Sequence, residues 1–245
     1  MPEVIAIIPA RLASTRLPRK VLLAETGKPL IQHVYESVAK AQSIRKVVIA
    51  TDSDEVRDAA LGFGADAVMT SEACQSGSDR VAEAARAYPN ANLIINVQGD
   101  EPEMDASVLD RLAEAMLAEG PEMGTVVVPW PSDIALSNEG CVKCVVDKKG
   151  YALYFSRAAI PHPRGEAKLE GYRRHIGIYA YRPDFLQEYT KWPATPLEQA
   201  ESLEQLRALE NGAKIRVIEA DYQGLEVNTP EDYARFVQAY RTRNG

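Results

Sequence analysis

The chain has 245 residues and a formal net charge of −7, with 46% hydrophobic and 26% charged residues. That balance suits a soluble globular chain with one large or two small domains, and it speaks against a general nucleic-acid or membrane-surface binder, which carries a basic excess. No apolar run approaches the ~20 residues a membrane span needs, and the first residues lack the zones of a signal peptide, so a cytoplasmic protein is expected.

In chain order, residues 3–8 predict a buried strand. Residues 29–41 place Leu30, Ile31, Val34, Val38 and Ala41 at helical spacing. "KVVIATD", 46–52, predicts a β-branched strand, and "SDEVRDAALGFG", 53–64, a helix from a Ser N-cap to a closing glycine. "ADAVMT" gives a short strand, 78–88 a helix, and "NLIINVQGDEP" a strand ending in a Gly-Asp turn. Residues 105–120 predict an amphipathic helix capped by Asp105, and "GTVVVPW" a further strand. This alternation indicates a mostly parallel sheet flanked by helices, with ligands beyond the carboxyl ends of the strands.

After about residue 140 the character changes. "CVKCVVD" and "YALYF" flank "KKG" as a hairpin, and 173–182 alternates as a strand. Between them lies a Pro- and Gly-rich segment, 156–172, that reads as a long loop or arm. Residues 196–212 predict one helix with Leu197, Leu203, Leu206 and Leu209 inward. "KIRVIEA" is a late strand, and "NTPEDYARFVQAYR" a capped, proline-initiated helix. There is no repeat or linker, so 1–245 is expected to be a single domain, with 1–140 mainly nucleotide-binding and 141–245 carrying the sugar site and arm. The three cysteines make a poor disulfide framework. Cys141 and Cys144, on a strand, would face opposite ways and lack a second Cys/His pair, so no metal site is expected there.

The first strand runs into "IPARLASTRLPRK", residues 8–20, where Arg11, Arg16, Arg19 and Lys20 gather with no acid. Neither a P-loop nor a dinucleotide fingerprint is present. Cations at the carboxyl edge of an α/β sheet suit a nucleoside triphosphate, arginine as a fork and lysine as a point charge; a solvated loop paired to local acids is the alternative. Asp100 in "NVQGDEP" is placed at the same edge, where a carboxylate beside a triphosphate suits Mg²⁺, although Gly-Asp is also a common turn. "QSGSDR", 75–80, offers a helix N-terminus to an acceptor.

Together these three motifs resemble the 3-deoxy-D-manno-octulosonate (Kdo) cytidylyltransferases, the CMP-Kdo synthetases. The resemblance continues through "YALYFSRAAIP", "RRHIGIYAYR", "PLEQAESLEQLRALENG" and "NTPEDY" and spans essentially the whole chain. It implies a nucleotide-diphospho-sugar transferase-like fold with a dimerisation arm near 155–185, a homodimer, and transfer of CMP from CTP to the anomeric 2-hydroxyl of Kdo for lipopolysaccharide biosynthesis. By the same resemblance, Ala10, Arg11, Arg16, Lys20, Ser76, Gly77, Arg80 and Gln98 are nucleotide-binding, and Arg11, Lys20 and Asp100 catalytic. Gln98, Arg157, His175, Tyr179, Glu204 and Gln205 are implied for the sugar acid, Arg157 at its carboxylate. Asp100 and Asn228 are implied for Mg²⁺. Where the family commonly has Val-Asp-Thr-Pro-Glu-Asp, this chain has "VNTPED", an amide in place of a second carboxylate. The remaining readings are a cytidylyltransferase for another acid sugar, such as 8-amino-Kdo or a sialic-type acid, and a non-catalytic nucleotide-binding regulator. His175 can equally be a packing residue of a strand, while His33 is expected on a helix surface and His162 in the arm.

Overall fold

Apolar continuity decides which strands lie inside. "VIAIIP" and "LIIN" have no polar alternation, as strands buried on both faces require. The computed structural model describes residues 2–14, 16–164, 171–222 and 224–244. Its contacts form two compact units, Met1–Asp110 with Gln223–Gly245, and Arg111–Tyr222.

In the first unit, β1 (Val4–Pro9) leads through a single 3-10 turn (Lys20–Leu22) to α1 (Leu30–Val38), then β2 (Lys46–Thr51), α2 (Asp54–Gly62), β3 (Asp66–Met69), α3 (Gly77–Ala85) and β4 (Leu93–Asn96). All four strands run parallel in the order β3-β2-β1-β4. Register pairs Pro9 with Ala50 and Ile7 with Asn96. The carboxyl ends of β1, β2 and β4 therefore open at one edge. The helices follow from the pattern: α1 buries Leu30, Ile31, Val34 and Val38. Ser53 accepts from the Val56 N–H to cap α2, and Ser76 and Asp79 form a reciprocal capping box on α3.

α4 (Ala106–Glu119) follows, with Asp105 Oδ1 accepting from the Ser107 N–H at 2.8 Å. The second unit continues with β5 (Met123–Pro129), β6 (Lys143–Val146), β7 (Ala152–Ser156), β8 (Arg173–Tyr181), α5 (Pro183–Tyr189), α6 (Pro196–Glu201), α7 (Leu206–Glu210) and β9 (Ile215–Glu219). β5 is central, antiparallel to β8 and parallel to β9. β6 and β7 form the expected antiparallel hairpin. α8 (Pro230–Asn244) returns to the first unit, its start fixed by reciprocal bonds between Thr229 and Asp232. The expected arm, 156–172, falls partly on residues 165–170, outside the described residues.

Two expectations are corrected. Residues 196–212 are two helices, because Ser202 takes the left-handed conformation (φ 51°) at the end of α6. Leu197 is 41% exposed rather than inward. His33 is buried: its Nε2 lies 2.7 Å from Thr26 Oγ1, and its ring packs edge-on to Phe236 and Tyr240. α8 covers the face of α1 that the sequence left to solvent.

Candidate active site

Each parallel strand of the first unit delivers its following loop to the same edge. There the loops after β1 and β4 and the N-terminus of α3 line one cavity, which includes Arg11, Arg16, Lys20, Ser76, Gly77, Arg80, Gln98 and Asp100. Sequence reasoning grouped these eight residues, and the fold brings them together.

The cationic loop is anchored by the buried one of its two leucines. Leu17 is buried in a cluster with Leu30, Val227, Tyr233, Phe236 and Val237. Arg19 then takes a left-handed conformation (φ 57°), which costs about 1 kcal/mol for a non-glycine residue. Arg19 turns outward to pair with Glu55, while Lys20 lines the cavity. The four cations of the loop thus divide: Arg11, Arg16 and Lys20 line the cavity, and Arg19 holds α2.

Lys20 Nζ donates to Asp100 Oδ2 at 2.6 Å and to the Val227 carbonyl at 3.0 Å. The Val227 N–H in turn donates to the Asp100 carbonyl at 2.9 Å. Asp100 is placed by its neighbour: a Cβ at Gly99 would lie 2.9 Å from the Pro9 carbonyl oxygen, so only glycine lets this turn pass under β1. Arg16 Nη2 donates to Asn228 Oδ1 at 2.8 Å, and Asn228 Nδ2 to Glu226 Oε1 at 2.5 Å. The amide thus bridges a cation and an anion, which a carboxylate cannot do. Arg80, though on the cavity wall, is buried and committed to Asp52 and Thr70, both at 2.5 Å. Ala10 is buried, its N–H on the Ala50 carbonyl at 2.8 Å. Arg11 is exposed and has no hydrogen-bond partner among the described residues.

The second unit holds the residues implied for the sugar acid other than Gln98, which lies in the first. Thr125 sits at a β-bulge of β5 and donates to the Ile178 carbonyl at 2.7 Å. Its oxygen, 2.9 Å from His175 Nε2, therefore accepts. That fixes the proton on Nε2 and leaves Nδ1 as the acceptor. Burial, reinforced by Arg174, pushes His175 down to about 3, so the ring is neutral at pH 7. His175 packs against Phe155 and Tyr179, and burial raises the Tyr179 phenol well above its ordinary value. Gln205 is 3% exposed, and its Nε2 has no hydrogen-bond partner among the described residues. The Glu204 carbonyl accepts from the Tyr189 hydroxyl at 2.7 Å. Arg157 is held by main-chain carbonyls: Nε on Glu201 (2.7 Å), Nη1 on Glu139 (2.8 Å) and Nη2 on Ser202 (3.3 Å). The carbonyls of 201 and 202 are available because the helix breaks there.

The sequence missed Leu17, Gly99, Thr125 and Val227. Gly99 carried a signal, a glycine directly before the candidate ligand. The others contribute main-chain groups, packing or a hydroxyl, which no motif encodes.

The family model for cytidylyltransferases matches residues 5–215. The 3-deoxy-manno-octulosonate cytidylyltransferase of Synechococcus elongatus is 46% identical, over 96% of this chain and 97% of its own. That of Syntrophotalea carbinolica is 47% identical, over 95% and 96%. The chain belongs to the 3-deoxy-manno-octulosonate cytidylyltransferase family. A solved structure described as CMP:2-keto-3-deoxy-manno-octonic acid synthetase complexed with CTP superposes with a TM-score of 0.93 at 38% identity, covering 98% of this chain and 99% of that one. A cytidylyltransferase from Leptospira borgpetersenii, at 18% identity and a TM-score of 0.67, shares the fold. The mostly parallel sheet flanked by helices is the fold of this family of nucleotidyltransferases.

Proposed function

We propose that this chain transfers CMP from CTP to the anomeric 2-hydroxyl of Kdo, releasing pyrophosphate, in the cytoplasm and for lipopolysaccharide synthesis. The observation that carries the reading is the Lys20–Asp100 contact of 2.6 Å in a cavity also lined by Arg11 and Arg16. Cations for a triphosphate and a carboxylate for a metal meet at one sheet edge, inside a chain of this family. The homodimer, with an arm near 155–185 as its contact, belongs to the same proposal.

The attacking 2-hydroxyl oxygen gives up its proton to solvent and forms a bond to the α-phosphorus as the bond from phosphorus to the bridging oxygen breaks, and pyrophosphate leaves. Arg11 offers a whole guanidinium to the β- and γ-phosphates. Lys20 uses two of its three donors and has a third for an α-phosphate oxygen, where charge grows during attack. The main chain of Ser76 and Gly77 and the side chain of Gln98 frame the nucleotide. Arg80 acts from behind, as a buried charge tied to Asp52. In the second unit, Arg157 takes the sugar carboxylate, and His175 Nδ1 accepts from a sugar hydroxyl. Tyr179, Glu204 and the spare donor of Gln205 complete that set.

The donors fit magnesium in a particular way. Lys20 engages one Asp100 oxygen and leaves Oδ1 without a partner among the described residues. No three His, Cys, Asp or Glu side chains there group as a metal site. Asp100 would supply the charge, Asn228 a neutral oxygen, and phosphates the remaining ligands. When bound, the ion offsets triphosphate charge and lowers the pKa of the attacking hydroxyl.

Pyrophosphate release from CTP, measured with Kdo, 8-amino-Kdo, a sialic acid and no sugar, tests the reading. Kdo-dependent release supports it. Preference for another acid replaces the sugar. No release with any of them leaves a nucleotide-binding regulator. The magnesium requirement of Asn228→Asp tests the metal role, and an unchanged requirement would argue against it.

A further inference from the structure

Lys143 is the one described lysine with no exposed surface at all. It lies on β6, and its ammonium donates to the Asn138 and Arg157 carbonyls, both at 2.7 Å, over the Trp130 ring at 5.0 Å. No carboxylate pairs with it among the described residues. A buried ammonium held only by carbonyls and a π-face is costly unless something nearby uses its charge.

Its second acceptor locates that use. Lys143 grips the Arg157 carbonyl, while Glu201 takes the Arg157 N–H at 2.9 Å and the Ser156 hydroxyl at 2.5 Å. The main chain of Arg157 is thus fixed on both sides, and its guanidinium is aimed by three further carbonyls. Glu139 and Glu201 both act on the ammonium through space, yet neither accepts a hydrogen bond from it among the described residues. The ammonium therefore spends its hydrogen bonds on two carbonyls, one of them that of the residue whose guanidinium faces the sugar acid in the proposed function.

We propose that Lys143 is a positioning residue for the sugar acid, orienting Arg157 and adding positive charge behind it for the substrate carboxylate. This rests on the proposed function and on Arg157 as the carboxylate donor. The wild type, Lys143→Met and Lys143→Gln are compared by kcat, by KM for Kdo and CTP, and by equilibrium binding of Kdo and of its neutral carboxamide. Methionine removes charge and donor, and glutamine keeps a donor without charge. The wild type should prefer the acid to the amide, and both variants should lose about tenfold of that ratio, with KM rising for Kdo and holding for CTP. Glutamine should lose less kcat than methionine. A folded variant with an unchanged ratio, or equal losses for acid and amide, overturns the proposal. If methionine fails to fold, glutamine decides alone. A wild type that turns over Kdo while the ratio stays constant refutes Lys143 only. A wild type inert with Kdo refutes the function and the Lys143 role with it.

Discussion

Replacing His175 by glutamine should remove a specific acid sensitivity of the fold. The ring is buried against Phe155 and Tyr179 with Nε2 toward Thr125, and its folded value is about 3 against an ordinary 6.5. Between those values the unfolded chain binds a proton that the folded chain refuses. Stability is therefore unaffected above 6.5 and falls as pH drops from there toward 3. At about pH 5 this loss is roughly 2 kcal/mol, from about 1.4 kcal/mol per pH unit below the unfolded value. Glutamine does not titrate and can still donate to Thr125. Urea unfolding at about pH 7.5 and about pH 5 gives each protein's loss. The wild type should lose about 2 kcal/mol more than His175→Gln. His33, whose value burial also lowers, acts in both proteins and cancels. Equal losses would mean that the ring is already protonated in the fold or open to water, and the neutral-acceptor argument would fail.

Lys20→Met should lower kcat about 10²- to 10³-fold, the usual cost of one donor at a developing charge, in the pyrophosphate assay, with the fold intact by circular dichroism. Asp100→Ala should abolish turnover on the same criterion, and retained activity would remove it from the metal assignment. Gly99→Ala forces a Cβ to 2.9 Å from the Pro9 oxygen; it should cost about 1–3 kcal/mol in thermal unfolding and lower activity by displacing Asp100. Glu198→Ala breaks the Glu198–Arg207 pair, with side chains only 11% and 13% exposed; denaturant titration should show a loss of about 3 kcal/mol.

Strand and helix periods were legible because burial imposes them. "VIAIIP" could only be an interior strand, and Ser53 and Thr229 announced helix starts that the structure confirms. That Arg11, Arg16, Lys20 and Asp100 share a cavity was legible because loops after parallel strands share an edge, whereas Arg80 and Gln98 came only with the family resemblance. The break at Ser202 was not, since the run from Pro196 to Gly212 keeps helical spacing and only the bonds to Arg157 reward interruption. α5 was passed over because seven residues carry too little periodicity. His33 was misplaced because its cover comes from α8, about 200 residues later in the chain.

The clasp of Lys20, Asp100 and Val227 joins positions that lie 80 and 207 residues apart along the polypeptide. Synthesis therefore has to pass Val227 before the loop of Arg11 to Lys20 acquires its backing. Chains that stop short of Val227 would lack Val227, Tyr233, Phe236 and Val237 against Leu17 and leave Lys20 without one of its two acceptors, so the proposed nucleotide site should form only once that segment is made.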